Sequence, residues 1–467
     1  MEKVGILVVS YGARETAMID AFTRSPNYDT DIYVVDRQKN PFNLKKAAEH
    51  TVIPDLGVND ICRFGAKRKD KIDFCIVGPE KPIINGIRDA FEKETGIPVI
   101  CPTKRFAIEA SKVAQRRLFE EAVPSVNPRY KVFNPKDYKG TDDVKRSLYR
   151  WLDELGNQAV VKPDVPAAGK GVGVWGDHFT TREQLFDHFL ANYEQGQVIV
   201  EEKIEGEESS FQAFCDGKHL IALPETRDYK RAFDDDKGPN TGGMGSYKDR
   251  GNRLPFIALE DWEKEAEIVR KIFDTMKRRG SSDELRGVPF YVAFIHTAEG
   301  PRILENNSRP GDPEIMNLLP LLKEDFVDIC FKMIEGNLTK ATIEEKASVV
   351  TYKVPPSYGG YLDTFPDKVK REEIGSPVRL EKAQKLGDNV RVYPASMELK
   401  DGRVYAQHSR AVAVVGISST VQDARELSLK GMTAIEGGSL WNRGDIASSS
   451  HIQKSVEHMA GLRRKGK

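Results

Sequence analysis

Residues 162–174 read Lys162-Pro163-Asp164-Val165-Pro166-Ala167-Ala168-Gly169-Lys170-Gly171-Val172-Gly173-Val174, which predicts a strand, a loop of small residues and a second strand. Glycines let the backbone approach a polyphosphate closely, and the two lysines supply positive charge. The loop is not a Walker A motif, because G-x-x-x-x-G-K-[ST] is absent and no helix is predicted to begin there. An ordinary glycine hairpin is the alternative to a phosphate-binding loop.

Upstream of this stretch, strands and helices alternate over roughly the first 108 residues. Val4–Val9 is a continuous apolar run, as a strand buried on both faces requires, and a helix is predicted over Arg14–Phe22. Further strands are predicted at Asp31–Asp36 and Ile72–Val77. This alternation predicts an open parallel α/β domain in which ligands bind at the carboxyl ends of the strands.

Downstream, the pattern changes to helices mixed with antiparallel strands. Ser111–Ala122 and Thr181–Glu194 are predicted helices. Hairpins are predicted over Ser209–Ala222 and Tyr291–Asn307, and the chain becomes β-rich from about residue 340, with a strand at Arg410–Val415.

Composition excludes several classes of protein. The 467 residues are 39% hydrophobic and 30% charged, which fits a soluble globular enzyme. Lys+Arg and Asp+Glu are equal at 71 each, so the chain has no net positive charge that would favour binding to nucleic acid. The five cysteines form no C-x-x-C pair and indicate reduced thiols. We expect a cytoplasmic monomer without a signal peptide and without nucleic-acid or membrane partners.

A second motif combines hard oxygen ligands with an arginine. Ile303–Glu314 contains Glu305 and Asn307, which lie on the same face of a predicted strand. A carboxylate and an amide oxygen suit Mg²⁺, and Arg309 is a natural phosphate or carboxylate clamp. A strand end with exposed polar residues is the alternative interpretation.

Two further stretches are candidates for ligand binding. Lys237–Gly245 has four glycines within residues 238–245 and follows Asp228-Tyr229-Lys230-Arg231, so we predict a loop that cradles an anion or small ligand. A flexible surface linker is the alternative. Val198–Ser209 ends a buried strand in acids, which are either solvated or placed to meet the adenine and ribose of a nucleotide.

These four stretches, in this order, resemble the ATP-grasp superfamily and, within it, the phosphoribosylamine–glycine ligases (glycinamide ribonucleotide synthetases). That family carries runs close to K-x-D-G-L-A-A-G-K-G-V, E-E-x-L-x-G-E-E-x-S, D-x-K-R with G-P-N-T-G-G-M-G, and E-x-N-x-R-x-G-D-P-E. The matching stretches are Lys162–Val172, Glu201–Ser209, Asp228–Gly245 and Glu305–Glu314.

The resemblance implies a multi-domain α/β fold and an ATP-dependent reaction. The expected parts are an N-terminal parallel α/β (pre-ATP-grasp) domain over 1–108, two α+β ATP-grasp lobes over 109–195 and 196–338, and a small β-rich domain over 339–467. The expected reaction joins glycine to 5-phosphoribosylamine through an acyl phosphate, with ATP as cosubstrate and Mg²⁺ or Mn²⁺ as the metal.

The resemblance also assigns the site residues. ATP is expected at Lys112, Lys162, Lys170, Gly171, Glu201, Glu202, Lys203, Ile204 and Glu208. The substrates are expected at Gly12, Ala13, Arg14, Glu15, Gly78, Pro79, Glu80, Asp228, Lys230, Asn240, Thr241, Gly242, Arg309, Gly311 and Asp312. Catalysis is expected from Arg309, Lys170 and Asp312, and metal binding from Glu305 and Asn307. The loop Ala167–Gly173 is expected to close over ATP.

Departures from the family pattern leave the identity of the amine substrate open. Thr16 stands where the family has histidine, Pro310 replaces phenylalanine, Ala395-Ser396 replaces Ala-Gly-Thr, and an N-x-G is missing around Arg37–Asn43. We nevertheless expect free backbone N–H groups of Gly12–Glu15 to bind a phosphate at the helix start, aided by Arg14 and the Thr16 hydroxyl.

Three other functions are compatible with parts of the sequence. The first is an ATP-grasp ligase with another amine or acid. The second is a nicotinamide-dependent oxidoreductase, suggested by Val4–Val9, Gly12 and Asp36 but lacking G-x-G-x-x-G. The third is a nucleotide-binding regulator that has lost catalysis. The presence of Glu305, Asn307, Lys170 and Arg309 argues against it.

Overall fold

A computed structural model describes residues 1–165 and 171–465. Its N-terminal part is a five-stranded sheet in the order β3-β2-β1-β4-β5, with every neighbouring pair parallel, as predicted. The strands are β1 (Glu2–Ser10), β2 (Tyr28–Asp36), β3 (Glu49–Val52), β4 (Phe74–Val77) and β5 (Val99–Ile100). The helices are α1 (Ala13–Thr23), α2 (Pro41–Lys46), α3 (Val58–Ala66), α4 (Glu80–Ile84) and α5 (Ile87–Thr95). The apolar run of β1 is buried because helices cover both faces of the sheet.

The next part is a small lobe built on an antiparallel sheet in the order β6-β9-β7-β8. Its strands are β6 (Tyr130–Phe133), β7 (Ala159–Pro163), β8 (Gly173–Val174) and β9 (Val198–Glu202), and its helices are α7 (Thr141–Glu154) and α8 (Arg182–Tyr193). Helix α6 (Lys112–Ala122) precedes them in the chain and packs on the large lobe. Ser111 caps α6, and the predicted capping box opens α8. The predicted strand–loop–strand is present as β7 and β8, whereas residues 166–170 of the loop lie outside the described residues.

The large lobe contains both predicted hairpins in one sheet of order β11-β10-β16-β17. The strands of this part of the chain are β10 (Glu207–Cys215), β11 (Leu220–Ala222), β12 (Arg227–Asp228), β13 (Arg231–Phe233), β14 (Lys237–Asn240), β15 (Gly245–Lys248), β16 (Pro289–Thr297) and β17 (Gly300–Asn307). The helices are α9 (Leu259–Arg279), α10 (Ile315–Leu318) and α11 (Phe326–Glu335). Apolar side chains of α9 and α6 pack on the sheet and form its core.

The prediction of a loop throughout Lys237–Gly245 is wrong at both ends. Lys237–Asn240 forms strand β14, which pairs with β13 in a two-stranded ribbon, and Gly245 begins β15. Gly238 has a φ of 78°, and a Cβ there would overlap the ring of Phe233. Glycine at position 238 therefore lets the ring of Phe233 pack on the backbone of the ribbon. Within this segment, only residues 241–244 lack regular structure.

The C-terminal part forms a five-stranded antiparallel sheet that includes earlier strands. Its order is β12-β15-β18-β22-β19, so two strands come from before residue 339. The remaining elements are β18 (Ala347–Lys353), α12 (Tyr361–Thr364), α13 (Glu381–Gln384), β19 (Val390–Pro394), β20 (Met397–Lys400), β21 (Arg403–Ala406), β22 (Val412–Ser418), α14 (Val421–Thr433) and α15 (Ser449–Lys465). No helix within residues 1–165 and 171–465 combines the length and apolar character needed to cross a membrane.

Candidate active site

Glu305, near the end of β17, lies among four cationic side chains. Glu305 and Asn307 are half-buried, whereas Asn306 between them is buried, so the first two share a face as predicted. Burial opposes ionisation of Glu305, but positive charge around it keeps its pKa below the usual value. The cations that do so are Lys230, Lys112, Lys162 and Arg309. The structure thus gathers predicted residues from four parts of the chain into one pocket. Three of its four cations, Lys162, Lys230 and Arg309, also form ion pairs with acids other than Glu305.

The carboxylate of Glu201 is held by two cations. Arg116 donates to it through Nε and Nη2 at 2.5 and 2.9 Å, and Lys162 Nζ donates at 2.7 Å. Burial would raise the pKa of Glu201, but both cations outweigh it and lower the pKa to about 2. The side chain of Glu201 is therefore engaged with protein groups. Arg116 also donates to Leu304 O at 2.7 Å and so ties β9 to β17.

Sequence reasoning missed Arg116, although one signal was available. Lys112 and Arg116 stand four residues apart on α6, so they lie on one face of the helix. Lys112 Nζ donates to Val165 O at 2.7 Å, and burial lowers the pKa of Lys112. One helix face therefore supplies a structural arginine and a lysine at the edge of the pocket.

The other predicted nucleotide residues line the end of β9 and its surroundings. Glu202 accepts from Arg129 and Arg302, and Lys203 Nζ donates to Trp175 O at 2.7 Å, so both side chains are engaged with protein groups. Ile204 follows the strand and is half-buried. Glu208 forms an ion pair with Lys230.

The phosphate-loop residues are only partly described. Gly171 has a φ of 83°, in the left-handed region, and its carbonyl lies 2.9 Å from His188 Nε2. Lys170, predicted to contact ATP and to take part in catalysis, lies outside the described residues.

The loops after β1 and β4 meet at the carboxylate of Glu15. Gly12 N–H donates to Glu15 Oε2 at 2.8 Å, and a Cβ at Gly78 would overlap the same carboxylate. Ala13 begins α1, while Pro79 and Glu80 form the N-cap and first residue of α4. The predicted residues of both loops are therefore adjacent, at the carboxyl ends of two neighbouring parallel strands.

The expectation that the first loop offers free groups to a phosphate is wrong for three of them. Gly12 N–H is satisfied by Glu15, and the Arg14 guanidinium is buried against Glu15 at 2.7 Å. The Thr16 hydroxyl donates to Pro394 O at 2.8 Å, towards the C-terminal part. Glu15, the third residue of α1, places its own carboxylate at the positive end of the helix. The sequence spacing alone does not show that this carboxylate takes the place expected for a phosphate.

Arg309 and Arg14 join the N-terminal loops to the Glu305–Glu314 segment. Arg14 Nη1 donates to Pro310 O at 3.1 Å, and Arg309 Nε lies 3.5 Å from Glu80 and 3.3 Å from Glu109. Burial opposes the charge on Arg309, but these carboxylates raise its pKa. The predicted clamp arginine is therefore fully ionised and fixed between two acids.

Arg410, absent from the predicted site, fixes the glycine-rich segment and Asp312. It donates to Gly242 O at 2.5 Å, to Gly243 O at 3.1 Å and to Asp312 Oδ2 at 3.0 Å. Its guanidinium lies 4.6 Å from the ring centroid of Tyr352, whose hydroxyl donates to Asp312 Oδ1 at 2.6 Å. No local sequence pattern indicates this role. Arg410 is brought to the site by the five-stranded sheet, which joins strands from before and after residue 339.

The remaining predicted substrate residues border this network. Thr241 Oγ1 donates to Lys230 O at 2.8 Å, Gly311 N–H donates to Gln212 at 2.9 Å, and Asn240 ends β14. Asp228 is a buried carboxyl whose Oδ1 has no hydrogen-bond partner among the residues described. Burial and the nearby Glu314 raise the pKa of Asp228 well above its usual range, and this carboxyl faces the glycine-rich segment.

Comparison with known proteins agrees with this architecture. Residues 4–109 match the N domain of phosphoribosylglycinamide synthetase, and residues 112–315 match its ATP-grasp (A) domain. The phosphoribosylamine–glycine ligase of Methanocella arvoryzae is 37% identical over 465 residues, which cover 98% of this chain and 99% of the relative. The chain belongs to the phosphoribosylamine–glycine ligase family. The family member from Thermococcus kodakarensis is 34% identical over 460 residues, with 98% and 99% covered.

The family fold is also found among solved structures. The crystal structure of the phosphoribosylamine–glycine ligase from Thermotoga maritima aligns with a TM-score of 0.73 at 22% identity, covering 95% of this chain and 100% of that chain. The predicted fold class, an N-terminal parallel α/β domain followed by an ATP-grasp domain and further β-sheet, is confirmed.

Proposed function

We propose that this ligase joins glycine to 5-phosphoribosylamine with cleavage of ATP to ADP and phosphate, giving glycinamide ribonucleotide. The observation that carries the proposal is the group of four cations around Glu305, which adjoins the loops after β1 and β4. A polyphosphate in this pocket would lie next to a separate subsite for a second, smaller substrate. Membership of the family supports the same assignment of substrates.

The first step forms an acyl phosphate. A carboxylate oxygen of glycine attacks the γ-phosphorus of ATP, the bond to the β-phosphate oxygen breaks, and ADP leaves with that electron pair. Lys112 and Lys162 stand where they would balance the negative charge on the phosphates, and Lys170 joins them on the family resemblance alone. Because no protein nucleophile is required, positioning and charge stabilisation carry this step.

The second step forms the amide bond. The amine nitrogen of phosphoribosylamine attacks the acyl carbon, the carbon–oxygen bond to phosphate breaks, and phosphate leaves while the nitrogen loses a proton. Arg309 would hold the departing phosphate, since two acids fix its guanidinium beside the N-terminal loops. Asp312, oriented by Tyr352 and Arg410, would accept hydrogen bonds from the ammonium group of glycine.

A divalent metal ion fits the donor set at the end of β17. Glu305 and Asn307 present a carboxylate and an amide oxygen on one face, and phosphate oxygens of ATP would complete the shell that Mg²⁺ or Mn²⁺ prefers. When bound, the ion would neutralise charge on the phosphates.

Product formation with defined substrates tests this proposal. ADP release is measured with glycine and freshly prepared phosphoribosylamine, together and separately, and the product is identified by its mass. We expect one ADP per glycinamide ribonucleotide, with little release when either substrate is missing. Another amine or acid that supports faster turnover would overturn the substrate assignment and favour the second candidate, an ATP-grasp ligase with changed specificity, to which Thr16 and Pro310 point.

A further inference from the structure

A cavity of about 350 Å³ separates the N-terminal domain from the C-terminal part, away from the pocket around Glu305. One wall comes from α1 and α2 and the other from α13, β19 and β21. Asp20 at its edge lies two turns along α1 from the loop at Gly12, so the cavity does not belong to the active site. Its volume is within the range of small-molecule sites in proteins, roughly 300–1,000 Å³.

Three cations of this cavity lack acidic partners. Among residues 1–165 and 171–465, no carboxylate forms an ion pair with Lys45, Lys46 or Arg391. Arg391 Nε is buried and has no hydrogen-bond partner within the same residues. Asp20 is already engaged, because it accepts from Tyr393 at 3.0 Å and from Arg24 at 3.1 Å. Glu381 also lines the cavity and forms no ion pair within the described residues, so three unpaired cations stand against one unpaired acid. Because this balance is positive and a buried donor without a partner is costly, the cavity favours an anionic ligand.

The other lining is apolar and partly aromatic. Val378, Leu380 and Val392 form one side, and Phe42 packs edge-to-face on Tyr393 with a centroid separation of 6.4 Å. A flat ring suits this lining better than a sugar or a free anion, because it buries apolar surface against aliphatic and aromatic side chains. We propose that the cavity binds a nucleoside monophosphate, with its base against the apolar wall and its phosphate near Lys45, Lys46 and Arg391.

The cavity is coupled to the active-site loop through one carbonyl group. Pro394 lines the cavity, and its carbonyl accepts from Thr16 at 2.8 Å and from Asn40 Nδ2 at 2.9 Å. Asn40 caps α2, whose Asn43 Oδ1 lies 3.2 Å from the Thr16 hydroxyl. A ligand that moves Pro394 or α2 therefore changes the loop over Gly12–Thr16. This coupling rests on the proposed function, whereas binding of the nucleotide does not.

Calorimetry with the ATP site filled tests the binding site directly. AMP is titrated into the full-length protein saturated with magnesium and the non-hydrolysable ATP analogue AMPPNP, with adenosine and inorganic phosphate as separate probes. We expect one AMP site, with adenosine and phosphate each at least tenfold weaker. Absence of saturable AMP binding would overturn the proposal, and equal binding of phosphate or adenosine would overturn the assigned ligand class.

Variants connect that binding to the cavity. Arg391→Ala and the exposed pair Lys45→Ala/Lys46→Ala should each weaken AMP binding at least tenfold, whereas Lys385→Ala, an exposed lysine outside the cavity, should not. Because Lys45 and Lys46 are exposed, their double variant keeps the test decisive even if Arg391→Ala folds poorly. AMP binding unchanged in the double variant would place the nucleotide elsewhere.

An activity measurement tests the coupling separately. At saturating ATP, AMP should change the KM for phosphoribosylamine by about fivefold or more in the wild type and not in the Lys45→Ala/Lys46→Ala variant. An equal response of both proteins would overturn the coupling through Pro394. If the amine proves to be another molecule, the calorimetric result is unaffected, so the two proposals fail independently.

Discussion

A buried cluster of Ser209, Glu225, Glu265 and His296 makes the stability of this ligase depend on pH. All four side chains are at most 2% exposed. His296 Nε2 lies 2.9 Å from Glu265 and 3.0 Å from Ser209 Oγ, while neither carboxylate oxygen of Glu225 has a hydrogen-bond partner in the described part of the chain. Burial raises the pKa of Glu265 to about 8 and lowers that of His296 to about 4.

The sign of the effect follows from where the proton resides. Above pH 6.5, the ordinary value for histidine, His296 is neutral in both the folded and the unfolded chain. Glu265, in contrast, keeps its proton in the folded protein until about pH 8 but has lost it in the unfolded chain. Stability therefore falls as pH rises through this window, by about 1.4 kcal/mol per unit and so by about 2 kcal/mol in total. Between pH 4.5 and 6.5 the contribution of His296 has the opposite sign and cancels that of Glu265.

Urea unfolding at pH 6.5 and pH 8 measures this difference, with fluorescence and circular dichroism as independent probes. The wild type should lose at least about 2 kcal/mol between the two values, and Glu265→Gln should reduce that loss by about 2 kcal/mol, since glutamine does not titrate. Glu267→Gln, on the exposed face of the same helix, is the matched control and should retain the wild-type loss. A wild type with equal stability at both pH values, or a Glu265→Gln variant with an unchanged loss, would refute the reasoning.

Three further predictions concern the site. Glu305→Gln should lower turnover by about a hundredfold or more at low Mg²⁺ with folding intact, and near-normal turnover would remove Glu305 from the metal site. Arg410→Lys keeps the charge but loses the fork that holds Asp312, so the KM for glycine should rise about tenfold or more, whereas an unchanged value would limit Arg410 to folding. Arg14→Ala removes the ion pair with Glu15 and should raise the KM for phosphoribosylamine alone, and an equal rise for ATP would contradict a local role.

Elements with a local signature could be predicted from the sequence. The apolar run of Val4–Val9, the turn residues of the two hairpins and the capping box at Thr181 each encode their geometry within a few neighbouring residues. Glu305 and Asn307 were placed correctly on one face because side chains alternate along a strand. These parts of the fold depend on periodicity and turn chemistry, which do not require knowledge of distant contacts.

The features that were missed depend on contacts between distant parts of the chain. Arg116 reaches Glu201 across 85 positions, and Arg410 reaches Asp312 across 98. Neither pairing has a local pattern, because several acids are available to each arginine until the tertiary structure selects one. The first loop was misjudged for a related reason, since Glu15 satisfies at short range the groups that the family resemblance had reserved for a ligand.

The five-stranded sheet that joins strands from before and after residue 339 constrains the order in which the protein can fold during synthesis. Strand β15 ends at Lys248, but its partner β18 begins only at Ala347, so the ribosome adds about a hundred residues before the two can pair. At about 5–20 residues per second this takes roughly 5–20 s, during which one edge of β15 has no partner. The glycine-rich segment before β15 must wait still longer for Arg410. The nascent ATP-grasp region thus remains incomplete at its substrate end until nearly the whole chain has left the ribosome.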